Sequence, residues 1–446
     1  MAIKNNFKQI LIDKIQGRKI KMRITKSSQE KNKKKNYKKV LQKVKRQIQG
    51  ITLIALVVTI IVLLILAGVA LSLTVGNNGL FTRAENAADT WQMASEDELR
   101  KMTILEAATN LETYLYADKN GDNATIPAGF AVSQVKGENT VDDGLVIIDS
   151  YGNEYVWIEV PKTTEVYQTT GLDIIDFTES DYEKIETDLH LYTSIYRNNT
   201  NRTDTYNTVE TTGLTEDEYN LLKQKMLKSI YQNGGFWIGR YETGISKPRK
   251  DNTEVITDKI MSQKNLYPLT WITCSEAQKL ASNVKYGNYT SSLMFGIQWD
   301  LTLKYLEIKG SNQEELVEDS SSWGNYINSE FKLNRGKYTR RFQSIDALWY
   351  DYTESFEHYV LETIKQSNSL DDGYAIKLTT GAADVNCKNN IYDLAGNVRE
   401  LTLENSTSTY NVSRGGSYEL LGSQFTARNR NDDLSGAAVG MRISLF

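Results

Sequence analysis

The sequence has few of the residues on which metal, redox and disulfide chemistry depend. Its 446 residues include two cysteines, two histidines and four prolines. Cys274 and Cys387 could form one disulfide, and two free buried thiols are an equally good interpretation, since sequence does not give their separation. No nucleophile elbow, Walker loop or paired-thiol motif occurs. These absences exclude the best-known catalytic motifs.

Charge is also missing from a long stretch near the N-terminus. No charged residue occurs between residues 47 and 82, and residues 51–75 are almost wholly apolar. As a helix this run would be about 37 Å long, enough to cross a hydrocarbon core of about 30 Å. The apolar region of a secretory signal is shorter, and a buried core helix is rarely apolar all round. The run therefore predicts a transmembrane helix over residues 51–75.

The distribution of charge predicts an orientation. The first 50 residues hold 17 Lys and Arg against Asp13 and Glu30, whereas the remaining residues hold 35 basic and 54 acidic side chains. Basic residues beside a membrane span stay in the cytoplasm. The predicted localisation is the cell membrane, single-pass, with a cytoplasmic N-terminus and an extracellular C-terminal head. A basic segment could also bind nucleic acid, but the adjoining apolar run favours the membrane, and no nucleic-acid partner is expected.

The junction between the basic segment and the apolar run reads RQIQGITLIALVV. It resembles the class III signal of type IV pilins and pseudopilins, which prepilin peptidase cuts after a glycine. The resemblance implies cleavage between Gly50 and Ile51, other pilin-like subunits as partners, and a surface pilus as a destination. Most pilins have Glu at the fifth mature position, where this chain has Ala55, which favours a minor or tip subunit. An uncut single-pass anchor is the alternative.

Beyond the apolar run, the pattern predicts a second helical segment and then short strands. Helical spacing over residues 80–116 predicts an amphipathic helix that packs on a globular head. Its expected apolar stripe is Leu99, Met102, Leu105, Ala108, Leu111 and Leu115. Alternation predicts strands at residues 130–135, 144–149 and 155–160. Residues 163–212 are polar and predict an insertion or decorated loop.

Capping signals fix the starts of two further helices. Thr215 and Glu218 form a capping box, which predicts a helix running to about Tyr231. Thr273 and Glu276 form another, which predicts a helix soon after Trp271.

A set of ordered motifs follows from residue 235 onward. They read GFWIGRYET, PLTW, IYDLAGNVREL, VSRGGSY and GMR. In this order they resemble the formylglycine-generating, or sulfatase-modifying, family, which has a C-type-lectin-like fold. The family writes the last three motifs as GNVWEW, RGGSW and GFR. The glycines permit tight or left-handed turns, and Trp237, Trp271, Trp299 and Tyr418 can fill a core.

The resemblance also bears on catalysis. The generating enzymes bind copper through two cysteines, spaced five apart, that precede an Ala-Arg pair. Here Ala427 and Arg428 match that pair, and the cysteine positions fall on Leu420 and Phe425, which cannot bind Cu(I). A related branch uses iron bound by three histidines, whereas this chain has only His190 and His358. The resemblance therefore implies a head without catalytic activity that requires no cofactor.

A calcium ion is a further expectation from the resemblance. Family members bind structural calcium near the GNVWEW motif, and Asn397 and Glu400 carry the oxygen ligands that this cation prefers. A hydrogen-bond network at the end of a strand is the alternative for the same two residues.

The predicted fold class is α+β. A long N-terminal pilin-type transmembrane and amphipathic helix over residues 51–117 would follow a leader, residues 1–50. A C-type-lectin-like head with little regular secondary structure would occupy residues 118–446, with the formylglycine-generating-enzyme-like core at 235–446.

The predicted function is that of a pilin-like, membrane-inserted surface protein of a Gram-positive bacterium. Its head would bind an unknown glycan or protein without catalysis, because targets of diversity-generating retroelements use the same fold's C-terminal segment for recognition. The corresponding surface comprises Tyr418, Gln424, Arg428, Asn429, Arg430 and Asn431. A surface-tethered enzyme of the same family is one alternative. A structural pseudopilin of a secretion or DNA-uptake system is another.

Overall fold

The computed structural model contains two compact units, Met1–Gln92 and Met93–Phe446. It describes Lys39, residues 59–61, Leu63 and residues 80–198, 202–340, 349–352, 375–406 and 410–446. The predicted cleavage site, Gly50 and Ile51, lies outside the described residues, as does most of the predicted transmembrane run.

Seven α-helices and nineteen short strands are numbered here within the described ranges. The helices are α1 (Leu80–Thr109), α2 (Glu179–Tyr192), α3 (Val209–Thr212), α4 (Glu216–Asn233), α5 (Cys274–Asn283), α6 (Gly296–Ile308) and α7 (Gln313–Val317). The first ten strands are β1 (Tyr114–Ala117), β2 (Asn123–Ile126), β3 (Phe130–Val132), β4 (Val146–Asp149), β5 (Glu154–Glu159), β6 (Gly235–Gly239), β7 (Gly244–Ile245), β8 (Tyr267–Pro268), β9 (Ser291–Leu293) and β10 (Lys337–Arg340). The others are β11 (Tyr350–Asp351), β12 (Ile376–Leu378), β13 (Cys387–Lys388), β14 (Ile391–Tyr392), β15 (Arg399–Asn405), β16 (Asn411–Arg414), β17 (Arg430–Asp433), β18 (Val439–Met441) and β19 (Ile443–Leu445).

The largest sheet of the second unit has six antiparallel strands in the order β3-β4-β5-β6-β19-β9. Its register places Trp157 opposite Trp237, and the centroids of the two buried rings are 5.0 Å apart. Each ring removes a large apolar area from water, which stabilises the centre of the sheet. Because β19 lies between β6 and β9, the last strand of the chain completes this sheet.

The remaining strands form several small sheets. One has four strands in the order β17-β16-β15-β18, and another has three in the order β11-β10-β12. Three two-stranded antiparallel sheets pair β1 with β2, β7 with β8, and β13 with β14. The fold is therefore mixed, with many small sheets and few helices. The predicted class, a long pilin-type helix followed by a lectin-like domain with little regular structure, is wrong.

Helix α1 differs from the predicted amphipathic helix in both length and buried face. It ends at Thr109, and β1 follows it. Thr103 and Ala107 form its buried face, whereas Leu105 is 70% exposed and Leu111 is 84% exposed. The prediction failed because it assumed that the largest apolar side chains face the head. The buried side chains of α1 are instead small ones, Thr103 and Ala107, which allow a helix to lie closer to its packing partners.

No helix among the described residues is both long enough and apolar enough to cross a membrane. The long helix α1 carries charged side chains along most of its length, from Arg83 to Glu106. Within the described residues, this finding contradicts the predicted transmembrane helix and the single-pass localisation in the cell membrane that depends on it. Of the predicted span, the structure describes only residues 59–61 and Leu63.

The predicted boundaries within the head also change. The segment at residues 163–212 contains α2, and Ile185, Leu189 and Tyr196 belong to the main hydrophobic core. It is therefore built into the core and is not a decorated loop. The six-stranded sheet takes β3, β4 and β5 from the chain before residue 235, so the later motifs share one core with the earlier strands.

Local signals were more successful. Thr215 caps α4 and Thr273 caps α5, each with the predicted glutamate three residues later completing a capping box. Helix α4 ends where Gly234 adopts φ +73°, a conformation that glycine reaches without steric cost. The predicted strands are confirmed as β3, β4 and β5, with ends that differ by at most three residues.

Candidate functional site

The predicted binding surface lies on the connection between β16 and β17. We call residues 415–429 the C-terminal loop. The register of the two strands pairs Arg414 with Arg430, so the two ends of the loop lie side by side.

A closed ring of ion pairs holds these ends. Asp300 binds Arg414 at 2.6 Å and Arg430 at 2.5 Å, and Glu404 binds the same arginines at 3.1 and 2.6 Å. Each of the four side chains is at most 2% exposed. Two carboxylates face two guanidinium groups, so every charge removed from water meets an opposite charge. We call these four residues the charge-balanced ring.

Glu404 and Arg430 keep their charges over a wide pH range. Burial acts to raise the pKa of Glu404, but Arg430 and Arg414 outweigh it and lower that pKa to about 2. Burial likewise acts to lower the pKa of Arg430, and Glu404 with Asp300 overcomes it and raises that pKa. A general acid or base works best with a pKa near the operating pH. Glu404 and Arg430 are therefore suited to positioning the loop and not to proton transfer.

Further hydrogen bonds fix the backbone of the C-terminal loop. The indole Nε1 of Trp299 donates to the carbonyl of Ala427 at 2.8 Å, and the hydroxyl of Tyr326 donates to the carbonyl of Gly415 at 2.7 Å. Gly416 has φ +71°, and a Cβ there would lie 2.3 Å from the carbonyl oxygen of Phe425. The RGGSY glycines therefore allow a left-handed turn in close contact with the backbone, as the sequence predicted.

The surface of the loop is mainly polar. Gln424 is exposed, and Arg428 and Asn429 are half-buried. Asn431, also part of the predicted surface, is half-buried on β17 just after the loop. The Asn429 amide donates to the carbonyl of Gln424 at 2.7 Å, and Arg428 donates to the carbonyl of Ile195 at 2.9 Å. These contacts hold the polar groups in a defined arrangement before any ligand binds, which lowers the entropy cost of recognition.

Two residues of the predicted surface are buried. Tyr418 is 3% exposed and packs with Ala375 and Ala438. Arg430 is 4% exposed and belongs to the charge-balanced ring. The surface assignment was wrong for both residues because partners distant in sequence draw them inward. The burial of Tyr418 agrees with its other expected role as a core-filling aromatic residue, whereas the polar sequence around Arg430 gives no sign of its partners.

The predicted calcium ligands belong to a second buried cluster. The Asn397 oxygen accepts hydrogen bonds from the Asn325 amide at 3.0 Å and the Leu378 N–H at 2.9 Å. Both carboxylate oxygens of Glu400 accept from Arg442, at 2.6 to 3.0 Å. Arg442 supplies a cation at Glu400, so this geometry matches the alternative interpretation, a hydrogen-bond network.

The same cluster contains more acids than bases. Glu242 accepts hydrogen bonds from the Asn397 amide at 2.7 Å and the Val398 N–H at 3.0 Å. Burial, with Asp393 and Glu400 nearby, raises the pKa of Glu242 well above its usual value. Burial also raises the pKa of Asp393 to about 6. We call Glu242, Asp393, Glu400 and Arg442 the acid-rich cluster.

The two cysteines are free thiols. Cys274 is buried at the start of α5, where its thiol lies 3.5 Å from the carbonyl of Thr402. Cys387 lies in the β13–β14 hairpin and is half-buried. Of the two interpretations that the sequence allowed, the structure agrees with free thiols and not with a disulfide.

The sequence argument against copper and iron sites rests on Leu420, Phe425 and the two histidines, and those that the structure describes are half-buried. Leu420 and Phe425 are half-buried in the C-terminal loop with hydrocarbon side chains. His190 is half-buried on α2, and His358 lies outside the described residues.

Sequence analysis did not identify Asp300 and Glu404, on which the geometry of the loop depends. Asp300 is 114 residues from Arg414 in sequence, and no local motif surrounds it. The available signal was the arginine at each end of the loop, because two buried guanidinium groups require carboxylates.

Comparison with known proteins does not assign a family. No protein-family model and no curated protein matches the chain. Four chains among the solved structures match. The chain is similar at 11% identity to Treponema denticola variable protein 1, with 74% of this chain and 98% of that chain covered and a TM-score of 0.20. At that TM-score the likeness supports no inference about fold or function.

Proposed function

We propose that the second unit, Met93–Phe446, is a non-catalytic binding module whose C-terminal loop recognises a glycan or a protein. The main support for this proposal is the polar surface of the loop around Gln424. The buried charge-balanced ring holds both ends of this loop in place. Binding surfaces often lie on loops that a rigid scaffold positions.

The chemistry of the loop supports recognition over catalysis. Amide and guanidinium groups at Gln424, Arg428 and Asn429 donate and accept hydrogen bonds, which suits hydroxyl-rich or peptide ligands. Leu420 and Phe425 stand where the resembling family would place its thiolates. The described carboxylates of the ring are paired with arginines.

The test is a glycan and protein array with the purified full chain, followed by affinity measurement for each specific ligand. Gln424→Arg changes an exposed part of the surface without touching the ring, and we expect at least about a tenfold loss of affinity, typical of a disrupted contact. Gln168→Arg is the matched control, since Gln168 is also an exposed glutamine, and it should bind like the wild type.

A cavity in the second unit is the alternative location for the ligand-binding site. It has a volume of about 270 Å³ and is lined in part by Tyr151, Lys259 and Tyr286. Tyr151→Ala should leave binding unchanged if the C-terminal loop is the site. Loss of binding in Tyr151→Ala but not in Gln424→Arg would refute the loop assignment. The absence of any specific ligand would refute the proposed function.

A further inference from the structure

Three side chains with metal-binding atoms meet beside α2. Glu186 and His190 are separated by one helical turn, so they lie on the same face of α2. His190 Nε2 is 3.6 Å from a carboxylate oxygen of Glu186. Asp204 approaches from the following connection, and one ligand atom from each residue lies within 4.8 Å of the other two.

Asp204 is held in place by groups behind it. The N–H groups of Gly296 and Ile297, at the start of α6, donate to its two carboxylate oxygens at 2.7 and 2.9 Å. Asp204 is 2% exposed, whereas Glu186 and His190 are half-buried and reach solvent. Oriented carboxylates with hydrogen-bonded outer partners are typical of metal ligands, and the solvent-facing side gives an ion a way in.

Two cations from the protein now lie against this cluster. The Lys223 ammonium is 2.9 Å from Glu186 and 3.0 Å from the backbone carbonyl of Asp204. The Arg197 guanidinium contacts Nδ1 of His190. Both are long side chains that are only partly buried, so each can turn toward solvent when another cation replaces it.

We propose that Glu186, His190 and Asp204 bind one divalent transition-metal cation, with Zn²⁺ as the representative ion. One imidazole and two carboxylates form a mixed nitrogen and oxygen set that suits Zn²⁺, whereas Ca²⁺ takes oxygen ligands only. The ion displaces Lys223 from Glu186. Binding through Nε2 leaves the ring proton on Nδ1, so the Arg197 guanidinium moves away.

The electrostatics around Asp204 agree with a place for a cation. The buried Asp204 carboxylate has two further carboxylates nearby, those of Glu404 and Glu186. A metal ion there would supply the missing positive charge. It would also connect α2 to the start of α6, and so attach the segment containing α2 to the core.

The test is calorimetric titration of the metal-free full chain with Zn²⁺, alongside its thermal unfolding. We expect one Zn²⁺ per chain and a higher Tm with the ion. Glu186→Gln should weaken Zn²⁺ binding at least about 100-fold, since one of the three protein ligands is lost. Lys223→Met removes the competing ammonium and should tighten binding by about tenfold. Ca²⁺ should not bind at this site.

Two controls separate this site from incidental zinc binding. Glu183→Gln changes an exposed glutamate on the same helix, and His358→Gln removes the other histidine; both should bind like the wild type. Asp204→Asn should also fail to bind Zn²⁺. If that variant does not fold, Glu186→Gln still tests the site, because Glu186 is only half-buried. No stoichiometric Zn²⁺, or undiminished binding by Glu186→Gln, would overturn the proposal.

Discussion

The charge-balanced ring and the acid-rich cluster lie in the same unit and are both buried, yet their carboxylates behave differently. In the ring, two acids face two arginines, and the pKa of Glu404 falls to about 2. In the acid-rich cluster, three acids share Arg442, and burial raises the pKa of Glu242, Asp393 and Glu400. Burial alone disfavours the charged form of an acid. The number of cations nearby therefore decides which buried acids stay ionised.

Breaking the ring should give the largest effect. Arg430→Met leaves Asp300 and Glu404 with one guanidinium between them, so a buried carboxylate charge loses its partner. We expect a loss of about 3–5 kcal/mol in the free energy of unfolding, measured by urea denaturation at pH 7.

A surface pair gives the matched comparison for this variant. Lys101 and Asp97 form an exposed ion pair on α1, and Lys101→Met should cost less than about 1 kcal/mol. Equal losses in Arg430→Met and Lys101→Met would contradict the structural role of the ring.

Removing one acid from the acid-rich cluster should increase the free energy of unfolding, whereas breaking the ring should lower it. The folded-state pKa of Asp393 is raised to about 6, so its contribution to stability is full below about pH 4 and is lost as the pH rises through 6. Asp393→Asn keeps an oxygen for the Gly381 N–H, which now donates to Asp393. We expect the variant to be more stable than the wild type by roughly 2–3 kcal/mol at pH 8 and equal to it near pH 4.

Glu404→Gln, a variant of the ring, should show a different pH dependence of stability from Asp393→Asn. Because the pKa of Glu404 is lowered, its contribution is present above about pH 4.5 and is lost as the pH falls toward 2. The variant should therefore differ most from the wild type at neutral pH and least in acid. Urea denaturation across pH 3 to 8 measures both variants, and parallel curves for Asp393→Asn and the wild type would refute the comparison.

A third cluster should show a smaller effect than the ring. Arg100 and Arg240 both bind Glu138 and Glu154, at 2.5 to 2.9 Å. Arg100→Met leaves two carboxylates with one guanidinium, as Arg430→Met does, but the Arg100 side chain is 13% exposed, so water can reach the groups that lose it. We expect a loss of about 1 kcal/mol in the same denaturation assay. A loss as large as that of Arg430→Met would show that partial exposure does not reduce the cost of losing a shared arginine.

Features encoded by neighbouring residues were accessible from the sequence. The capping boxes at Thr215 and Thr273 involve residues three apart, and the turn at Gly416 follows from glycine's own backbone freedom. The burial of Trp237 and Trp299 follows from their size and apolar character. Exposed Gln424 was also placed correctly on the surface.

Features that depend on distant partners were not accessible. Sequence placed Arg430 on the surface, whereas Asp300, 130 residues away, draws it into the ring. It could not decide between a Cys274–Cys387 disulfide and two free thiols, whereas the fold keeps both thiols free. It also chose the wrong face of α1, because helical periodicity identifies an apolar stripe but not the surface that a helix meets.

The sequence by itself determined where several helices begin, where the chain must turn, and which aromatic side chains fill the core, because these preferences act over a few residues. The tertiary structure alone decided which charged groups enter the interior and which partners compensate them. The cost of burying a charge depends on opposite charges within a few ångströms, and folding brings those charges together from distant parts of the chain.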